Sequence, residues 1–145
     1  MSLAYVAVAA TVASTALTAY NNYENNKYQA AQAEADAEAV KGQGRVEAER
    51  IRREKNKAQS AARAAAAENG LSVNEGTAIT INDYIEQAGN YDAAMSEISG
   101  FNSSQRLKAE ASVYRKNANT ALATGALDTI SVGASGYGKV SGGWK

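Results

Sequence analysis

Apolar and charged positions fall in blocks along this chain. From Met1 to Tyr23 no side chain is charged, and Glu24 then opens a long, charged, alanine-rich stretch. Within the uncharged block Ala9, Ala13 and Ala16 follow four- and three-residue steps, and Thr11, Thr15 and Thr18 keep the same rhythm. That spacing predicts a helix with small-residue faces, on which neighbouring backbones can approach closely while hydroxyls bond across. Leu3, Val6, Val8, Val12 and Leu17 spread around the rest of the circumference, and Tyr5, Tyr20 and Tyr23 stand near the two ends, where interfacial aromatics are favoured. Leu3 to Tyr20 is at the lower edge of membrane-spanning length, and its alanine, serine and threonine make it a weak span. It also lacks the basic residue that precedes the apolar run of a signal peptide. Two readings stay open: a helix packed in an oligomeric protein core, and a conditional membrane segment whose surface comprises Leu3, Val6, Ala9, Val12, Ala13, Ala16, Leu17 and Tyr20.

Residues 24–69 read as a long helix of Ala, Gln, Glu, Lys and Arg with no proline. Glu47 with Arg50 and Glu49 with Arg53 are spaced for ion pairing at i,i+3 and i,i+4. Gly42 and Gly44 each cost about 1 kcal/mol relative to alanine, so a hinge there stands against a tolerated pair of glycines. Val40, Ile51 and Ala62 recur at an eleven-residue spacing, which favours a right-handed supercoil. The basic cluster around Arg52 reads either as a phosphate contact or as a solvated face. Asn69 and Gly70 predict a left-handed helix end, and the turn over 70–80 contains Gly76, with Thr77 or Thr80 placed to cap the next helix.

Residues 81–124 carry the densest large apolar cluster: Ile81, Tyr84, Ile85, Tyr91, Met95, Ile98 and Phe101. The expectation is that this cluster, with Ile51, is the main hairpin core, and that Gly89 and Gly100 separate short helices. Asn102 with Gln105 resembles a capping box opening another helix. Leu107, Ala111, Tyr114, Ala118 and Leu122 then form an amphipathic stripe for an antiparallel return helix. Residues 125–145 are glycine-rich and read as a flexible tail, with Tyr137 and Trp144 as candidate insertion points. The expected fold class is all-α: an elongated helical hairpin with an uncharged amino-terminal helix over 1–23 and a Gly-rich tail, ordered by oligomerisation.

Composition narrows function further. The 15 basic and 15 acidic side chains cancel, which removes a global field toward nucleic acid and any expectation of sequence-specific binding. Histidine and cysteine are absent, so the nucleophilic triads that need them cannot form within this chain, and no cofactor is implied. Glu47, Glu49 and Glu54 are spaced for salt bridging, and no paired carboxylates suggest acid–base work. The expectation is a protein that is not an enzyme. Large core side chains are scarce, which points to stability through assembly.

The order of these segments, with the turn AAAAENGLSVNEGT, resembles the small internal virion or ejection proteins of T7-like short-tailed bacteriophages. The resemblance covers about residues 25–135, its best local element being Gly70 to Thr77; Ala78 stands where members often carry proline. It implies a homo-oligomeric ring in the capsid core near the portal, beside larger internal virion proteins. It also implies ejection with the genome and a channel at the host outer membrane, so that the protein resides in the virion interior and then in the host envelope. A membrane-anchored stalk, like the b subunit of an ATP synthase, and a purely structural virion core or adaptor protein are the alternatives.

Overall fold

The computed structural model describes residues 2–73 and 75–141, with side chains over 6–73 and 75–136. The protein is all-α: α1 spans Ser2–Glu68, α2 spans Thr77–Ser141, and no strand occurs among the described residues. The chain divides into two compact units, one of Met1–Glu34 with Lys108–Lys145 and one of Ala35–Leu107.

The second unit is a helical hairpin. Its reversal is set by two glycines in the left-handed region, Gly70 at φ +71° and Gly76 at φ +64°. At the end of α1 the Leu71 amide donates to the Ala66 carbonyl at 2.9 Å and the Gly70 amide to that of Ala67 at 3.1 Å. This is the paired bonding of a Schellman cap, which satisfies carbonyls that the helix end would leave bare. The Asn69 side chain adds a bond to the Ala65 carbonyl at 3.0 Å. On the other side the Gly76 carbonyl accepts from both the amide and the hydroxyl of Thr80, so α2 begins at Thr77 within the stretch expected to be turn.

Along α1 the partly or fully buried stripe runs through Ala37, Val40, Gly44, Ala48, Ile51, Lys55, Gln59, Ala62 and Ala66. The facing stripe on α2 is Asn82, Ile85, Gly89, Ala93, Ser96, Gly100, Ser104 and Leu107. Small residues dominate both. A Cβ placed on Gly44 would lie 2.9 Å from the Ser96 carbonyl oxygen and 3.0 Å from the Gly100 Cα, so the two backbones meet there. Eleven residues on, a Cβ at Gly89 would meet the Lys55 side chain. The Val40, Ile51 and Ala62 spacing lies on this seam.

The first unit packs by the same device. Ala19 opposes Gly125 and, eleven residues away, Val8 opposes Gly136; Glu34 pairs with Arg115. The fully buried apolar residues of the described chain are all alanines: Ala30, Ala33, Ala37, Ala48, Ala93, Ala111 and Ala118.

Several expectations are corrected. Ile81, Tyr84, Tyr91, Met95, Ile98 and Phe101 are exposed, Tyr84 at 72% and Tyr91 at 65%, and so do not form the core. The interhelical gap is too narrow for such side chains once glycine faces glycine, and it selects alanine, serine and glycine. Ile51, Ile85, Leu107 and Tyr114 do lie half-buried on the seam, but Leu122 is exposed because the stripe passes from Ala118 to Ala121 and Gly125. Gly42 and Gly44 interrupt nothing: α1 continues through both. Gly89 and Gly100 likewise lie inside α2, as do Asn102 and Gln105, which cap no helix. Helix α2 also continues through Gly125, Gly133, Gly136 and Gly138 to Ser141, where the composition suggested a tail. Leu3 and Tyr137 lie in helices, while their side chains, and all of Trp144, fall outside the described residues.

Candidate interaction surfaces

Two surfaces stand out once the seams are assigned. In the first unit, residues 6–23 of α1 run antiparallel to about 121–138 of α2, and Asp128 is the one ionisable carboxylate or base in these two segments. One flank is polar: Ser14, Thr18, Asn22, Thr124 and Asp128 line a crevice of about 320 Å³. The back of α1 is apolar, with Val6 (66% exposed) and Leu17 turned away from the seam and Tyr20 exposed beside them, while Leu127 and Ile130 are exposed on the back of α2.

The hydroxyls expected to bond across helices bond back along their own. Thr15 donates to the Thr11 carbonyl at 2.9 Å, Thr18 to Ser14 at 2.9 Å and Ser14 to Thr11 at 2.9 Å; Thr129 donates to Gly125 at 2.6 Å. Each hydroxyl therefore carries its acceptor with it, and moving this unit into a drier environment leaves those donors satisfied. Of the residues expected on an oligomer or membrane face, Val12 is half-buried in the intramolecular seam, whereas Val6, Ala9, Ala13, Ala16, Leu17 and Tyr20 are exposed. No helix among the described residues is long and apolar enough to cross a membrane.

In the hairpin unit α1 carries an ion-pair cluster. Arg50 bridges Glu47 at 2.5 Å and Glu54 at 2.8 Å, and Arg52 bridges Glu49 at 2.9 Å and Glu97 of α2 at 2.8 Å. Glu49 thus takes Arg52 as its ion-pair partner, and Arg53 reaches only the Glu49 carbonyl, at 3.4 Å. Hydrogen bonding to Arg50 holds the Glu47 carboxyl below its usual range, and the pair raises Arg50. The hydrogen bonds that Arg52 donates to Glu97 and Glu49 raise it as well. In the first unit the Glu110 carboxylate accepts from the Tyr114 hydroxyl at 3.2 Å and raises that phenol. These groups lie on solvated faces, and no cluster of three or more acidic, histidine or cysteine side chains suited to a metal occurs among the described residues.

The glycines that set the seams, Gly89, Gly100, Gly125 and Gly136, escape a reading that treats glycine as a breaker. The available signal was their spacing: Gly89 to Gly100 and Gly125 to Gly136 are each separated by eleven residues, matching Val40 to Ile51. Comparison with family models, with curated proteins and with solved structures returns no match for this chain.

Proposed function

We propose that this chain is a non-enzymatic assembly and delivery protein of the ejection-core type. Copies pack side by side in a homo-oligomeric ring in the capsid core, near the portal and the larger internal virion proteins. After ejection the charge-poor part of the first unit helps to form a channel across the host outer membrane for genome delivery. The observation that supports the reading is the makeup of the first unit. Two antiparallel helices carry one carboxylate between them across residues 6–23 and 121–138, with hydroxyls along one flank and Val6 and Leu17 exposed on the back of α1. A single helix of this composition is a poor span; several such pairs, with polar flanks turned to a shared lumen and apolar flanks outward, meet the requirements of a lipid-embedded assembly. Sheltered by neighbouring copies before release, the same flank exchanges protein for lipid afterwards.

The functional surface accordingly grows from Leu3–Tyr20 to include the opposed stretch of α2. Vesicle leakage tests it: the full-length protein is expected to release dye from liposomes, and Leu17→Lys, on the exposed apolar flank, to reduce release by at least about tenfold. Vesicles that stay sealed across lipid composition and pH would remove the channel from the reading. A purely structural core protein then remains, favoured by the lack of a helix apolar enough to cross a membrane among the described residues. The reversal at Gly70–Gly76 argues against a parallel stalk.

A further inference from the structure

Among the described residues, the outer face of α2 in the hairpin unit has no intramolecular partner. Tyr84, Tyr91, Met95 and Ile98 lie opposite the seam residues Ile85, Gly89, Ala93 and Ser96, and are 72%, 65%, 45% and 50% exposed. With Ala88 between the tyrosines they advance by alternating four- and three-residue steps, the spacing of a left-handed helix-packing seam. The helix therefore carries two seams, a small-residue one that is filled and a large-residue one that is not.

Charge identifies the occupant. Residues 77–105 contain Asp83, Glu86, Asp92 and Glu97 and no basic residue. Residues 45–63 of α1 contain seven basic and three acidic side chains, a net of +4, of which Arg52 is met within the chain by Glu97. Asp83 and Asp92 flank the tyrosine ridge on its two sides by helical position and take no ion pair among the described residues. Arg53 and Lys57 lie on the back of α1, also without an ion pair there, in a strip of Val46, Arg50, Arg53, Lys57 and Ser60 with the same four–three spacing. Long basic side chains lay their stems on apolar surface, place their charges over tyrosine faces and reach flanking carboxylates.

The exposed area also calls for such a partner. The chain exposes 10318 Å², against about 7,100 Å² expected for a compact monomer of its mass. The excess, about 3,200 Å², falls in the range that obligate interfaces bury.

We infer that the Tyr84–Tyr91–Met95–Ile98 face of α2 docks the back of α1, residues 45–63, of a second copy of this chain. The two surfaces differ, so the contact is head-to-tail, and its repetition closes a ring or extends a filament. The inference rests on the self-association in the proposed function and is independent of any step in a membrane.

The chain has no cysteine, so engineered ones report cleanly. Full-length Asp92→Cys and Lys57→Cys proteins, differently tagged, are expected to form an intermolecular disulfide when mixed under oxidation, and neither to crosslink efficiently alone. Sedimentation should show self-association that weakens with salt and shifts to at least about tenfold higher concentration in Met95→Glu, with helicity unchanged. Asp92→Lys with Lys57→Asp should restore association lost in each single variant. A monomer at every concentration, crosslinking of Asp92→Cys with itself in preference to Lys57→Cys, or Met95→Glu associating like the parent would overturn the interface. If the crosslink forms while vesicles stay sealed, the interface stands and the channel reading falls.

Discussion

Replacing a helical glycine by alanine normally stabilises a helix by about 1 kcal/mol, because glycine gives up more backbone freedom on folding. Gly42 is expected to follow that rule, since a Cβ there meets nothing within 4 Å. Gly44 and Gly100 are expected to reverse it. The atoms in the way are backbone, at 2.9 to 3.1 Å, and they move only if the helices separate. Thermal or urea unfolding should therefore show Gly42→Ala more stable and Gly44→Ala or Gly100→Ala less stable, the latter by about 1–3 kcal/mol. Equal gains in all three would mean that the seam is not this tight. Ser104 offers a complementary case: it is 1% exposed and its Oγ lacks a hydrogen-bond partner among the described residues. Ser104→Ala removes an unsatisfied hydroxyl without filling or emptying space. It should leave stability unchanged or raise it by about 1 kcal/mol in the same unfolding measurement.

At the scale of the element, the helices are held by propensity, by caps and by exposed ion pairs. Gly70 and Gly76 stand at positive φ, so alanine at either position costs about 1–2 kcal/mol, whereas asparagine costs less. A melting series of Gly70→Ala against Gly70→Asn would separate backbone strain from lost contacts, because nothing lies within 4 Å of a Cβ there. The Glu47–Arg50 pair gives a pH signature. Its folded-state carboxyl is lowered, chiefly by the Arg50 hydrogen bond, so its contribution is present above the ordinary glutamate range and is lost as pH falls through the lowered value. Glu47→Gln should melt slightly below the parent at neutral pH and converge with it in acid; a gap that persists there would mean that the pair is not its source. The helical class, the turn at Asn69–Gly70 and the stripe from Leu107 to Ala118 were legible because they rest on local propensity and period. The core was not. Counting large apolar side chains placed it at Ile81–Phe101, whereas close backbone approach put glycine and alanine inside and sent those side chains outward. The same error made Gly125–Ser141 look like tail, although Gly125 and Gly136 are contact points within α2.

For the molecule as a whole, a core whose fully buried apolar residues among those described are all alanines leaves little buried apolar area to stabilise the single chain. A buried alanine removes only its methyl group from water, about 1 kcal/mol or less at the usual transfer coefficient. Each residue held in a helix gives up about 1–2 kcal/mol of backbone entropy. The large side chains that would redress this balance, Tyr84, Tyr91, Ile98, Leu17 and Leu127 among them, remain exposed until another surface covers them. The proposed association would stabilise the fold by mass action, so the melting temperature should rise with protein concentration, by several degrees over a hundredfold range. Differential scanning calorimetry of the full-length protein across that range checks it, with Met95→Glu as the comparison. The parent curve should move with concentration and the variant curve should move less. A melting temperature independent of concentration in both would mean that the small-residue seams suffice alone, and that the exposed apolar faces serve something other than self-assembly.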